Sequence, residues 1–128
     1  MPKFTRGELE TMQVLWDLGE AKPSEIQAAF PRPIKNPALR SYLTILLDKG
    51  HVTRRKVGKA YYYRAKTPRE PAFQDMVRGI AETFCEGSAE GLMVRMIKSQ
   101  KLTEEQLLRL KRIADGETPD EPPRRRKR

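Results

Sequence analysis

Leu9, Met12, Leu15 and Trp16 recur three and four positions apart, so the spacing predicts an amphipathic helix whose stripe, Trp16 included, turns to a core. Thr5-Arg6-Gly7-Glu8 opens it as a capping box and Gly19 stops it. A short second helix opens at Pro23-Ser24-Glu25 and runs through Ile26 to about Phe30, after which Pro31 and Pro33 make a rigid turn. A third helix, 37–49, takes Asn36 as its N-cap, with Pro37 at the first position, where its missing N–H costs nothing. Gly50 is its left-handed stop. At about 100° per residue, Leu39, Tyr42, Leu43, Leu46 and Leu47 share one inward face. Pro37, Arg40, Ser41 and Thr44 lie outward, a small polar surface with an arginine at its edge.

Past Gly50 the period changes. Residues 52–56 and 60–65 are short β-prone runs around Val57-Gly58-Lys59, a hairpin signal. Alternation puts Tyr61 and Tyr63 on the core side and Tyr62 on the exposed side. Three helices followed by a basic hairpin make a winged helix-turn-helix.

The second half is built differently. Phe73, Met76, Val77, Ile80, Ala81 and Phe84 form one long stripe, and Ala89, Leu92, Met93, Met96 and Ile97 repeat it after Gly87-Ser88. A second capping box, Thr103-Glu104-Glu105-Gln106, leads into Leu107, Leu110, Ile113 and Ala114, with Gly116 as the stop. Three short helices without a core of their own bury their stripes against a second copy; folding back on the head is the alternative. The expected dimerisation residues are Phe73, Met76, Val77, Ile80, Phe84, Leu92, Met93, Met96, Ile97, Leu107 and Leu110. The expected fold is mainly α with a small β-hairpin wing. Residues 1–66 form a winged helix DNA-binding domain, 67–116 a helical dimerisation region and 117–128 a disordered basic tail. The tail either adds non-specific phosphate contacts or only solubilises the chain.

Charge sharpens this division. Residues 1–66 carry 13 Lys/Arg against 6 Asp/Glu, residues 67–116 carry 8 against 8, and the whole chain is +9. A basic head beside a neutral 67–116 segment points to double-stranded DNA as the partner of the head. Small side chains on the outward helix face let its backbone approach a major groove, where Arg40, Ser41 and Thr44 reach base edges or phosphates. Lys35, Asn36, Arg54, Lys56, Lys59 and Arg64 complete the candidate DNA-binding set, the wing residues as phosphate contacts.

Other classes fare worse. Enzymatic catalysis needs a nucleophile beside a base, a metal cluster or paired carboxylates in a pocket. His51 and Cys85 are single, no glycine loop cradles a phosphate, and no cofactor is expected. Cys85, inside an apolar helix, reads as a buried small side chain rather than a redox sensor. No run is apolar and long enough for membrane insertion, and the first residues lack the apolar core of a signal peptide, so a cytoplasmic location is expected. Two alternatives stay open: a non-specific architectural nucleic-acid-binding protein, and a module that uses helix and wing to hold another protein.

The stretches FTRGELETMQVLWDLGEAKPSEIQ, LRSYLTILLDKGHVTRRKVGKAYYYR and LTEEQLLRLKRI resemble the penicillinase-repressor family of winged-helix regulators (the BlaI/MecI/CopY group), over nearly all of residues 4–116. The resemblance implies a homodimeric transcriptional repressor on inverted-repeat operators, with three C-terminal helices as the dimer interface. It also implies a membrane-bound sensor protease as regulator, since several members are cleaved at a bond that aligns roughly with Arg95-Met96. The chain departs from the pattern there, where the usual Asn-Phe pair is absent. It departs again at Ala38 and Ser41, where members commonly carry threonine. The cysteine cluster of the copper-responsive branch is missing too, so thiolate metal sensing is not expected.

Overall fold

A computed structural model describes residues 4–117. The elements run α1 (Arg6–Leu18), β1 (Glu20–Ala21), α2 (Pro23–Ala29), α3 (Asn36–Lys49), β2 (Val52–Val57), β3 (Ala60–Ala65), α4 (Arg69–Cys85), α5 (Ala89–Gln100) and α6 (Glu104–Ala114). This is a winged helix with C-terminal helices, as the periodicity predicts. The chain divides into two compact units, Met1–Ile80 and Ala81–Arg128. Beyond Glu117 the basic tail lies outside the described residues.

In the first unit, local chemistry sets the helix ends. The Thr5 hydroxyl accepts the Glu8 N–H, and the Glu8 carboxylate accepts the Thr5 N–H, each at 3.3 Å. Gly19, at φ 85°, ends α1 by donating its N–H to the Leu15 carbonyl. Met12, Leu15, Ile26, Leu39, Leu43, Leu46 and Val52 then converge in one core with Tyr63, and Trp16 packs half-buried at its margin. Each such aliphatic side chain, taken wholly from water, stabilises the fold by about 1.5–3 kcal/mol. A Cβ at Gly7 would overlap the Tyr42 ring, so α1 and α3 meet where one side chain is missing.

The sheet is antiparallel in the order β1-β3-β2. Its hairpin closes through Gly58-Lys59, with Val57 opposite Ala60. Gly58 takes φ 63° at the first turn position, which a II′ turn reserves for glycine. The β1 strand goes unannounced in the sequence, because two residues are too few for alternation to register.

Four expectations are corrected. Asn36 is not the N-cap. The cap is Lys35, without a side-chain bond, and α3 starts at Asn36 rather than at 37. The reason is that the Asn36 Oδ1 accepts the Arg40 Nε–H at 2.7 Å instead of a backbone N–H. Tyr61 is not a core residue either. It shares the face of Tyr63, but the hairpin runs past the edge of the helical body, so Tyr63 is 7% exposed and Tyr61 38%. Tyr62, expected to be exposed, is half-buried on the opposite face of the hairpin, and Cys85, expected to be buried, is half-buried at the end of α4.

The segment between β3 and α4 is fastened to the head. The Trp16 indole N–H donates to the Thr67 carbonyl at 2.9 Å, and the His51 Nδ1 meets the Thr67 hydroxyl at 2.8 Å. The backbone N–H groups of Lys66 and Thr67 both donate to the His51 carbonyl. Arg69 pairs with Asp17 at 2.7 Å and covers the Trp16 ring. His51 is itself buried against Phe4. Burial, with Lys49 close by, pushes its pKa below the usual value despite Glu8.

Described by itself, the second unit holds α5 and α6, capped by Ser88 and by the Thr103–Gln106 capping box. Neither helix has a buried residue.

Candidate nucleic-acid interface

The outward face of α3 is clean. Leu39, Leu43 and Leu46 are wholly buried, while Lys35, Asn36, Arg40, Ser41 and Thr44 are all exposed. A long helix anchored by three leucines on one side can hold the opposite side against a duplex without a loss of packing. A further tie fixes its far end. Lys49 Nζ lies 3.0 Å from the Glu8 carboxylate, which is almost fully buried at the start of α1. Burial alone would raise the Glu8 pKa, but the hydrogen bond and charge of Lys49, with the Thr5 bonds, outweigh it and hold the carboxyl below its usual range.

Asn36 does more for Arg40 than it would as a cap. By accepting from Nε it orients the guanidinium one turn along the helix. The two terminal nitrogens then have no acceptor among the described residues, so the fork stays open for a guanine edge or a phosphate. The Thr44 hydroxyl donates back to the Arg40 carbonyl at 3.0 Å, which leaves Thr44 presenting a methyl group and an acceptor lone pair.

On the wing, the strand register sorts the cations. Arg54 and Lys56 stand on the face of Tyr61 and Tyr63. The Arg54 guanidinium lies 4.1 Å from the Tyr61 ring centre and donates to the Tyr63 hydroxyl at 3.1 Å; Lys56 Nζ is 5.8 Å from the same ring. That hydrogen bond, with the two phenol rings, raises the Arg54 pKa further. Lys59 is exposed in the turn itself. Arg64 is not brought together with these residues. It occupies the opposite face, paired with Thr53 in register and beside Arg55.

Arg55 and Glu20 are a part of this surface that sequence reasoning missed. The Glu20 carboxylate takes both Arg55 Nε and Nη2, at 2.8 and 2.9 Å, and Arg55 in turn holds the Glu20 pKa down. One cation of the hairpin is thereby neutralised from β1. No local signal announces a pair 35 residues apart; only the pairing of β1 with β3 creates it.

The expected dimerisation residues are exposed or half-buried in the single chain: Phe73, Ile80, Phe84, Met93, Met96 and Leu110 are exposed, and Met76, Val77, Leu92, Ile97 and Leu107 are half-buried. Phe84 and Met93 each keep 61% of their surface in water, a costly state for side chains of that size. Among the described residues no helix is long and apolar enough to cross a membrane.

A family model described as "Penicillinase repressor" matches residues 4–116, which takes in the head, the wing and all three C-terminal helices. A Latilactobacillus sakei chain described as "Uncharacterized 16.5 kDa protein in ptsI 3'region" is 22% identical over 113 residues, covering 87% of this chain and 77% of that one.

Proposed function

Since the chain belongs to the penicillinase repressor family, a family of DNA-binding transcriptional repressors, we propose that it is a homodimeric, sequence-specific repressor of inverted-repeat operators. In this reading α3 of each protomer enters a major groove, and the two grooves lie roughly 34 Å apart. Arg40, Ser41 and Thr44 read base edges. Lys35, Arg54, Lys56 and Lys59 hold phosphates on either side. Residues 67–116 supply the dimer contact, and the protein acts in the cytoplasm, where its operator is. Arg64 is the weakest member of the expected set, since it faces away from Arg54 and Lys56.

One observation carries the reading above the others. The Arg40 guanidinium is oriented by Asn36 and otherwise open, on a helix whose opposite face is locked in the core. A protease acting at Arg95-Met96 would first have to unwind α5, since that bond lies within the helix.

The experiment is selection of bound duplexes from a random pool at near-physiological salt, with the native chain and with Arg40→Ala. An enriched inverted repeat is expected. Arg40→Ala is expected to cost about 1–3 kcal/mol and to relax preference at one position of each half-site. Salt-sensitive binding to every duplex, without enrichment, would leave an architectural protein instead.

A further inference from the structure

Arg54 is held unlike the other candidate cations of the wing. A free arginine samples many rotamers, and immobilising such a side chain at an interface weakens binding by the freedom it loses. Here that freedom is already restricted before any partner arrives. The guanidinium carbon lies 4.1 Å from the Tyr61 ring centre, and Nη1 donates to the Tyr63 hydroxyl at 3.1 Å. Tyr63 is rigid because it is 7% exposed in the core, opposite Arg54 in the ladder. Tyr61 lies two residues further out, 38% exposed, on a part of the hairpin that has no apolar core to offer it. A tyrosine there gains little from burial. What it supplies is a flat, electron-rich surface against which a guanidinium stacks.

The position of Arg54 decides what it faces. It lies three residues from Val57, where the strand ends, so about 10 Å separates it from the turn. That places it level with the buried Tyr63, on the outer strand of the sheet and short of the tip carrying Lys59. Phosphates, which line both edges of a groove, are what such a position meets, and a planar fork suits their oxygens.

We propose that Tyr61 and Tyr63 are positioning residues for duplex binding, acting through Arg54 by fixing its guanidinium as a preformed clamp on one backbone phosphate. The inference rests on the DNA-binding reading above. Tyr63 contributes through its hydroxyl alone, and Tyr61 through its ring face. Neither touches the phosphate.

The test uses the full-length protein and a duplex containing the selected operator, with affinity measured across a salt series for native protein, Tyr63→Phe, Tyr61→Leu, Arg54→Ala and the double variant Arg54→Ala/Tyr63→Phe. Tyr63→Phe and Tyr61→Leu are each expected to weaken binding about two- to tenfold, with an unchanged salt slope, because no charge is removed. Arg54→Ala is expected to weaken binding and to lower that slope by about 1. In the Arg54→Ala background, Tyr63→Phe is expected to do nothing more. A thermal melt of each variant accompanies the series, and Tyr63→Phe, which only loses a hydroxyl, is expected to melt with the native protein. Full native affinity in Tyr63→Phe would overturn the proposal, as would an equal loss with and without Arg54. A change in preferred sequence on removing Arg54 would overturn the phosphate assignment. Failure of the native protein to bind any duplex would instead defeat the DNA-binding reading itself, and is distinguished by that first curve.

Discussion

The buried Glu8 carboxylate is the residue on which acid stability turns. Its folded pKa is depressed, so its contribution is complete above its ordinary value of 4.5 and is lost as pH falls through the folded value. His51 acts in the same sense from a higher start. Its folded pKa lies below the ordinary 6.5, so the neutral ring stabilises the fold above that pH, and protonation destabilises it as pH falls. The melting temperature is therefore expected to decline in two stages on acidification, one beginning near 6.5 and one below 4.5. Lys49→Met should lower stability at neutral pH by about 1–3 kcal/mol, since Glu8 loses its charged partner while staying buried. The same variant should make the second stage shallower. A second stage as steep as in the native protein would show that Lys49 does not set the Glu8 pKa.

At the level of elements, α3 is a lever clamped on one side. Leu43 is 1% exposed, and truncation to alanine leaves a cavity between α3 and its neighbours. Leu43→Ala is expected to cost about 2–5 kcal/mol in urea unfolding, while any protein that stays folded keeps its duplex preference. A change of preferred sequence would mean that the inner face takes part in reading bases. These elements were largely legible beforehand, because they are written in contacts a few residues apart. The Thr5–Glu8 and Thr103–Gln106 boxes, the αL glycine after α3 and the hairpin glycine are all local chemistry. Distant contacts were not. Glu8 with Lys49, Glu20 with Arg55 and Trp16 with Thr67 are 35 to 51 residues apart, and each side chain looks ordinary in its own neighbourhood. Asn36 was misread for a subtler reason: its carboxamide had a choice between the backbone and an arginine one turn on, and sequence spacing permits both. Tyr61 was misread because alternation tells which face a residue takes, but not where the core beneath that face ends.

For the molecule as a whole, the apolar surface left on α4, α5 and α6 is the quantity to probe. Met93→Glu places a charge on that surface at a residue that is 61% exposed in the single chain. In the proposed dimer that surface is covered, so the variant is expected to sediment as a monomer and to lose at least tenfold in operator affinity. An unchanged dimer would show that the stripe is not the contact. The fastening of Thr67 bears on the same assembly. Bonds from Trp16 and His51 converge there, and Arg69 is tied to Asp17 just beyond, so the first turn of α4 is held to the head. In the proposed dimer a fixed exit would act as a ruler: it would limit the half-site spacings that both heads can reach, and DNA of the wrong spacing would have to twist to fit or be refused. Trp16→Phe, which removes the indole donor, should broaden the set of half-site spacings that bind while leaving the sequence of each half-site as it was.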